Sequence, residues 1–461
     1  MCPIARVEHR RDPRRSRGRL AHRVRVSDQP SGVPQSPELP GEDSLRRNRD
    51  FSTLVVSQSV SAVGDAVSAT ALPLLVLALT GSGLAMGVVM AINTGADFVL
   101  AAFAGAMADR GDRKRMMFLA DLGRALFTAL IPLSELIDGP TMAVILLVSG
   151  PLAILRGFFR AGYLAAIPNL LGRPQLARGN GIIETAISAS FIVGPAIAGF
   201  LVTLIGPGPT LAIDAASFAI SSLALFLIRR ELKAPADRPP SRILDDIREG
   251  VVYVARHRVL RTVILLFATT EAVLISVGAA MTFRIVRDLG QSPGAFGLAL
   301  TGFGVGTLAG SIFATRLGPG TNVARVLLLA LLLIGASTMA IAAIDPLPLI
   351  VAVTALSGAG EAALVVVYVS VRAANSPDEL VGRIASTARV MALGLMPIGS
   401  VIGGVLIDSV GGTGTLLVLG ASICLLAAGF SQVATLRVAS LVPTLVRAPE
   451  PLLPISDGLE R

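Results

Sequence analysis

Four acidic side chains stand near the middle of long apolar runs, and one arginine stands toward the inner end of another, where charge is costly. They are Asp65, Asp97, Glu271, Glu361 and Arg156. A charge at the centre of a membrane helix costs roughly 2.5–3.5 kcal/mol, so each residue needs a reason to be there. A carboxyl group that alternates between protonated and ionised forms is what proton coupling across a membrane requires. We therefore predict that these residues bind protons or line a substrate cavity; the alternative is a structural ion pair, such as Arg156 with Glu361.

Among the acids, Asp65 is the strongest candidate for proton coupling. Its own predicted helix contains no basic residue that could hold it in an ion pair. Three other acids lie nearer to the ends of predicted helices: Glu184, Asp214 and Asp408. These three are expected to be solvated or to act as helix caps.

The runs that contain these charges are long enough to cross a bilayer. Hydrophobic residues make up 53% of the 461 residues and charged residues only 15%, whereas soluble domains carry roughly a quarter charged residues. About 20 apolar residues cross a membrane as a helix, and open strands cannot satisfy their backbone groups in lipid. Twelve runs are found, near 54–79, 84–108, 115–136, 141–163, 181–205, 209–228, 261–283, 294–316, 324–344, 347–371, 385–410 and 414–436. The chain is predicted to be an all-α membrane protein with twelve transmembrane helices.

The connections between the runs differ in charge. Three of them carry most of the basic residues: 110–115, 172–178 and 229–261. Three others carry none: TGSG at 80–83, GPGP at 206–209 and GGTG at 411–414. The positive-inside rule assigns the basic connections and both termini to the cytoplasm of a multi-pass protein of the plasma membrane. Arg284 and Arg287 are an exception, because they fall on the predicted outer side.

This pattern divides the chain into five parts. They are a disordered basic tail at 1–50, a six-helix bundle at 51–228, a cytoplasmic linker at 229–260, a second six-helix bundle at 261–436 and a cytoplasmic tail at 437–461. The linker contains apolar residues at helical spacing: Leu244, Ile247, Val251 and Val254. This spacing predicts an amphipathic helix on the inner leaflet.

The two bundles show an internal repeat. The segment GFLVTLIGPGPTLAIDAASFAISS (199–222) matches the residues 205 positions further on at several glycine, leucine, threonine, alanine and serine positions. The same offset aligns residues in three other regions. Two parallel six-helix repeats are typical of a transporter whose site lies near the midplane between them.

The connection between the second and third predicted helices carries a motif. Gly105, Asp109, Arg110, Arg113 and Lys114 resemble the signature loop of the major facilitator superfamily, except that an aspartate stands where the family has a second glycine. The resemblance covers about 52–436. It implies the major facilitator fold, in which this loop latches the two halves together on the inner side.

The position of Asp109 fits such a cytoplasmic latch. Its carboxylate ends the second predicted helix on the side where the eleventh begins, near 384–386. A carboxylate is stabilised beside a helix N-terminus. The alternative is a plain positive-inside anchor, for which the basic residues alone would suffice.

Further stretches narrow the resemblance. VGDAVSATALPLLVLALTGSG (63–83), GFFRAGYLAAIPNLL (157–171) and NGIIETAISASFIVGPAIAGFL (180–201) are similar to the branch that contains enterobactin exporters and macrolide efflux proteins. This similarity implies export of a small organic molecule, driven by the proton gradient and without a cofactor.

The fifth predicted helix contains a proline-glycine pattern. Gly194, Pro195 and Gly199 resemble a signature of exporters in the superfamily and are predicted to bend this helix. Ordinary close packing through small residues is the alternative.

Other function classes find little support. The chain has no Gly-Lys-Ser/Thr P-loop, which excludes a built-in ATPase. Its three histidines lie outside the apolar runs, and no nucleophile and base pattern is present, so we predict neither a metal site nor catalytic residues. A non-transporting receptor or scaffold on the same fold stays open, as does an importer of a small metabolite. The expected partners are a small-molecule substrate and the bilayer, not nucleic acid, and the expected state is a monomer.

Overall fold

Helices account for almost all of the residues that the computed structural model describes, which are 45, 48–139, 141–171, 175–232, 243–318 and 321–432. No strand occurs within these ranges, and all of them belong to one compact unit, Asp43–Arg461. The predicted tail at 437–461 lies outside the described residues, as does the predicted tail at 1–50 up to residue 44.

Six long helices make up the first half of the bundle. They are α1 (Arg49–Thr80), α2 (Gly83–Arg110), α3 (Arg113–Leu136), α4 (Thr141–Leu170), α5 (Leu176–Ile205) and α6 (Pro207–Leu227). Asn48, Ser82 and Asp112 each accept a hydrogen bond from a backbone N–H three residues on, and so begin α1, α2 and α3. α1 ends at Gly81, whose φ of 63° is left-handed.

The second half begins with a short helix and continues with five long ones. They are α7 (Ile243–Arg256), α8 (Arg258–Thr282), α9 (Pro293–Ala314), α10 (Val323–Ala343), α11 (Leu347–Ala374) and α12 (Val381–Ser431). A π-helical turn, Phe283–Asp288, extends α8. His257 caps α8 by accepting a hydrogen bond from the Leu260 N–H at 3.3 Å.

Helix α12 is interrupted at Gly411. This residue has φ 71° and ψ 178°, a conformation that a residue with a Cβ rarely adopts. It lies in the GGTG connection that the sequence predicts between two spans. α12 therefore consists of two helical segments joined at a glycine.

Most of these helices are long and apolar enough to cross a membrane. Ten of the helices meet this standard by length and composition, and the Gly83–Val99 part of α2 is a shorter apolar helix. Large apolar side chains also face outward, including Leu147 at 75% and Leu425 at 71% exposure. In water this surface would be unfavourable, whereas lipid is a suitable solvent for it.

The packing pattern of the first half recurs in the second. α2 packs on α4, α3 on α4, α1 on α5 and α3 on α6. In the second half α9 packs on α11, α10 on α11, and both α8 and α10 on α12. The halves meet through α2 with α12 and through α5 with α9.

Glycines allow the close approach between the halves. A Cβ on Gly87 of α2 would lie 2.3 Å from the Ser400 carbonyl oxygen of α12. A Cβ on Gly297 of α9 would lie 2.3 Å from the Pro195 carbonyl oxygen of α5. Both helix pairs are therefore in backbone contact at these points.

Helix α7 lies within the segment predicted to be amphipathic. The side chains of Leu244 and Ile247 are outside the described ones. Val254 is buried, and Glu249 pairs with Arg383 at 2.5 Å, which docks α7 on the first segment of α12. Val251 is 45% exposed. Contact of this helix with a membrane stays a prediction.

Candidate functional site

The Asp65 carboxylate on α1 forms an ion pair with Arg124 of α3. The same guanidinium bonds Asp121, one turn earlier on α3, at 3.2 Å. The other oxygen of Asp121 accepts a hydrogen bond from Ser221 of α6. Side-chain exposure is 4% for Arg124, 0% for Asp121 and 33% for Asp65, so only Asp65 opens toward solvent. Asp65 is thus held by a basic residue of another helix, which the sequence argument did not consider.

Asp214 of α6 completes this group. It is 2% exposed and accepts hydrogen bonds from Ser68 of α1 and, at 3.2 Å, from Ser217. Its carboxyl also lies within electrostatic range of Asp65 and Arg124. The expectation that Asp214 is solvated or a helix cap is therefore wrong, because α6 begins two turns earlier and buries it against α1.

These four residues, Asp65, Asp121, Arg124 and Asp214, form what we call the interior charge cluster. Arginine keeps its proton in proteins, and its guanidinium here stacks 3.8 Å from the ring centroid of Phe218. One guanidinium can balance one carboxylate, and the cluster contains three carboxyl groups. Because unbalanced buried charge is strongly unfavourable, the excess carboxyl groups are suited to hold protons.

The cluster borders a cavity of about 280 Å³. Asp65, Arg124, Asp214 and Arg156 contribute its charged groups, with Asn93 among its neutral polar ones. Apolar side chains make up much of the remaining wall: Leu72, Val76, Met86, Val89, Met90 and Leu152. An apolar wall with a few convergent polar groups is typical of sites for small organic molecules.

A second charged group lies on α2 and α4. Arg156 donates to Asp97 at 3.1 Å, with exposures of 43% and 29%. The alternative of an Arg156–Glu361 pair is wrong, since Asp97 takes this partner. The guanidinium of Arg389 on α12 lies within electrostatic range of Arg160 and Asp97.

The two predicted acids of the second half lie within electrostatic range of each other. Glu271 of α8 and Glu361 of α11 are close enough for their carboxyl groups to repel. Within the described part of the chain, neither makes a hydrogen bond or an ion pair. Beside them, Phe267 stacks on Tyr368 at 4.0 Å between ring centroids. Protonation of either carboxyl group would remove this repulsion.

The two halves are joined at the end of the bundle that contains Gly81 and Gly411, which the loop charges predict to be the outer end. Asp408 of α12 accepts hydrogen bonds from Ser82 Oγ at 2.8 Å, Gly83 N at 2.5 Å and Leu84 N at 3.0 Å. A carboxylate in this position satisfies unpaired N–H groups of α2 and its dipole. We call these four residues the outer clasp. Asp408 therefore caps a helix, as predicted, but the helix that it caps is α2 of the first half and not its own helix α12.

Two more hydrogen bonds link the halves at this end. Arg287 donates to the Gly81 carbonyl, and Gly294 N donates to Thr203 Oγ1 at 3.1 Å. Arg284 pairs with Asp345 at 2.7 Å within the second half. The two arginines that depart from the loop-charge pattern thus have specific partners at this end.

The predicted cytoplasmic latch is described only in part. The structure does not describe the surroundings of Gly105 or the side chains of Asp109 and Arg110. A latch through Asp109 therefore stays a prediction. Arg113 is buried and donates to the Ala165 carbonyl at 2.9 Å, while Lys114 donates to the Ile228 carbonyl at 2.5 Å. These two residues fasten α3 to α4 and to the end of α6.

The glycines of the fifth helix serve close packing. A Cβ on Gly194 would lie 2.4 Å from that of Ala66 on α1, and one on Gly199 would lie 3.0 Å from Gly297 of α9. Pro195 lies within a helix that continues from Leu176 to Ile205. Bending at Pro195 stays a prediction.

Sequence reasoning did not select Arg124 and Asp121. Their spacing of three places both side chains on one face of α3, and both lie within an apolar run. An acid and an arginine at this spacing within an apolar run could have been recognised from the sequence as an intramembrane ion pair. Among the described residues, no group of three or more His, Cys, Asp or Glu side chains could hold a metal ion.

The chain is similar to a known protein family and to known transporters. A sequence model described as "Transmembrane secretion effector", one of the major facilitator families, matches residues 44–454. The multidrug efflux pump Tap of Mycolicibacterium fortuitum is 28% identical over 371 residues, which cover 79% of this chain and 90% of Tap. Macrolide efflux protein A of Streptococcus pyogenes is 22% identical over 387 residues, covering 81% and 95%.

Solved structures share the fold. A crystal structure of the nucleoside transporter NupG superposes with a TM-score of 0.69 at 14% identity, covering 83% of this chain and 98% of that one. A bacterial homologue of the lysosomal transporter Spinster, inward-facing and unoccupied, gives a TM-score of 0.63 at 15% identity, covering 84% and 94%.

Proposed function

This chain belongs to the transmembrane secretion effector family of the major facilitator superfamily, whose members are membrane transporters and not enzymes, and we propose that it exports small organic molecules in exchange for protons. One observation carries the proposal: a cavity whose wall joins apolar side chains to a cluster with more carboxyl groups than guanidinium groups. The apolar wall suits the substrate, and the excess carboxyl groups suit the proton.

Proton exchange is assigned to Asp65. Asp65 and Asp121 both pair with Arg124, and the carboxylate of Asp65 is the more exposed of the two, so water in the cavity reaches it. A proton on Asp65 removes the charge that holds Arg124, and the guanidinium then turns to Asp121 and Asp214. This rearrangement links protonation to the packing of α1 against α3 and α6. The proton gradient supplies the energy, and no cofactor is required.

The substrate class follows from the cavity and from the relatives. Proteins 22–28% identical over about four fifths of this chain are named as multidrug and macrolide efflux proteins. The wall of the cavity is largely apolar, which favours a hydrophobic molecule with few polar groups. Family membership favours transport over the receptor alternative, and the relatives' names favour export over import.

The proposed architecture is twelve spans in two six-helix repeats, as a monomer with both termini in the cytoplasm. Support comes from the recurring helix pairs and from the break at Gly411, which divides α12 into two spans. In the proposed cycle the cavity opens inward while the outer clasp is formed, and the clasp must open for release outside.

A transport assay tests the proposal. Cells with and without the protein are loaded with a panel of dyes and a macrolide, and accumulation is measured with and without a protonophore. We expect lower accumulation of at least one compound, and we expect the protonophore to remove the difference. Equal accumulation of the whole panel would contradict export, and a difference that survives the protonophore would contradict proton coupling.

A further inference from the structure

Three arginines and one aspartate lie together toward the predicted cytoplasmic side of the cavity. Arg156 and Arg160 are on α4, Arg389 is on α12, and Asp97 is on α2. Asp97 is paired with Arg156. In the part of the chain that the structure describes, Arg160 and Arg389 make no hydrogen bond or ion pair. Since arginine stays charged in proteins, the group carries an excess of two positive charges.

The positions of these residues bring the two free guanidinium groups to the same level. Arg160 follows Arg156 by one turn, so both lie on one face of α4. Arg160 is ten residues from the end of α4 and Arg389 eight from the start of α12. At 1.5 Å per residue both are about 12–15 Å from those helix ends.

Helix α12 meets α2 close to this level. A Cβ on Gly394 of α12 would lie 3.3 Å from the ring of Phe98, the neighbour of Asp97. Arg389 is also within electrostatic range of both Arg160 and Asp97. The two unpaired arginines therefore converge from different halves on one place.

Both Arg160 and Arg389 are exposed, so their guanidinium groups are accessible to water or to a ligand. An arginine within a membrane helix is unfavourable unless it is paired or reaches water. Arg156 borders the cavity, and Arg160 lies on the same face one turn toward the predicted cytoplasmic side. A substrate that enters from that side passes the two arginines before it reaches the apolar wall.

We propose that Arg160 and Arg389 bind an oxyanion, the carboxylate or phosphate group of a transported molecule whose apolar body occupies the cavity. Guanidinium groups bind both kinds of oxyanion through paired hydrogen bonds. The inference rests on the proposed function and names its substrate class, amphiphilic organic anions. Because the two arginines belong to different halves, the bound anion would also bridge them.

Two dyes with the same ring system test the charge preference. Carboxyfluorescein is anionic and rhodamine 123 is cationic, and both contain a xanthene. Binding is measured by fluorescence anisotropy with the full chain in phosphatidylcholine nanodiscs. For the double variant Arg160→Gln/Arg389→Gln we expect about a hundredfold weaker binding of carboxyfluorescein, because each of the two lost hydrogen bonds to a charged group has an effect of about tenfold. Binding of rhodamine 123 should be unchanged or tighter.

Two further variants separate binding from folding. Arg160→Lys/Arg389→Lys keeps the charge and should retain part of the carboxyfluorescein affinity. Arg316→Gln removes an exposed arginine near the end of α9 and should leave both affinities unchanged. Loss of both dyes in the glutamine variant would mean general damage to the cavity, and would overturn the assignment.

A lipid headgroup could supply the same oxyanion, so a second arm uses nanodiscs that contain phosphatidylglycerol. Retention of this lipid is measured by native mass spectrometry. If the glutamine variant loses only the lipid, the site binds a headgroup and the substrate assignment is wrong. If neither ligand responds, no oxyanion site exists there. Export of rhodamine 123 by a protein that does not bind carboxyfluorescein would leave the proposed function intact and overturn this inference alone.

Discussion

Arg124 is the residue on which the interior charge cluster depends. It is 4% exposed, contacts Asp65 and Asp121, and lies over the ring of Phe218. Removing one partner of a buried ion pair leaves the other charge without compensation. The guanidinium is therefore needed for folding as well as for the proposed proton exchange.

We expect Arg124→Gln to abolish transport and to destabilise the protein by about 3–5 kcal/mol, the range for breaking buried ion pairs. Thermal unfolding of the purified protein in detergent measures the loss. Arg325→Gln, at an exposed position whose backbone N–H donates to the Asn322 side chain that caps α10, is the control and should be neutral. Adding Asp121→Asn to Arg124→Gln should recover part of the stability, because it removes an uncompensated charge. Wild-type stability of Arg124→Gln would show that the cluster does not contribute to folding.

The sequence identifies Asp65 and Asp97 as intramembrane acids, but it does not identify their partners. Asp65 meets Arg124 and Asp97 meets Arg156 across residue separations of 59. Such pairs depend on which helices are neighbours and on their rotation, which hydropathy does not determine. The burial of Asp214 depends in the same way on its neighbours in other helices, Ser68 of α1 and Arg124 of α3.

Helices α2 and α12 form a close contact between the two halves of the molecule. Their backbones touch at Gly87 and Ser400, and the outer clasp adds three hydrogen bonds from the start of α2 to Asp408. These bonds must break when the outer end opens. In the proposed transport cycle, the clasp is therefore predicted to stabilise the inward-facing state relative to the outward-facing one.

We predict that Asp408→Asn shifts this equilibrium toward outward-facing. A carboxylate at a helix N-terminus contributes about 1 kcal/mol, which corresponds to a roughly fivefold change in the population ratio. Spin labels at Ile137 and Gln291, exposed at this end in different halves, report the distance by pulsed electron resonance. Asp345→Asn removes an outer acid paired within one half and serves as the control. An unchanged distance distribution in Asp408→Asn would contradict the clasp.

The predicted cytoplasmic latch should act in the opposite sense. Asp109→Asn should insert normally, favour the inward-facing state and lose most transport, because the charge beside the start of α12 is lost. Gly105→Leu should have a smaller effect of the same kind. Export assays at matched expression measure both variants. Normal export by Asp109→Asn would remove the latch from the mechanism.

Elements were more predictable than their contacts. The predicted runs 209–228 and 324–344 lie within a residue or two of α6 and α10. α1 and α5 begin five residues before their predicted starts, because polar first turns such as that of Arg49–Thr53 are helical without being apolar. Hydropathy detects the part of a helix in contact with lipid, whereas the cap residues set where the helix begins.

At the scale of the whole molecule, orientation is the simplest property to test. Gln291 and Gly318 lie at opposite ends of α9, and both are exposed. In a background without Cys2 and Cys424, a cysteine at Gln291 should react with an impermeant thiol reagent in intact cells. A cysteine at Gly318 should react only after the membrane is opened. The reverse pattern would invert the assigned orientation and the direction of the proposed export.

Reconstituted vesicles with an imposed pH gradient test most directly whether proton movement through Asp65 drives export. Wild-type protein and Asp65→Asn are compared at equal density, with a dye that the cell assay identifies as substrate. Asparagine mimics a permanently protonated Asp65, so the variant should still exchange dye down its own gradient. We predict that the wild type concentrates the dye against its gradient while the pH gradient lasts, and that Asp65→Asn does not. Uphill transport by Asp65→Asn would contradict the account, and the coupling role would then pass to Glu271 or Glu361.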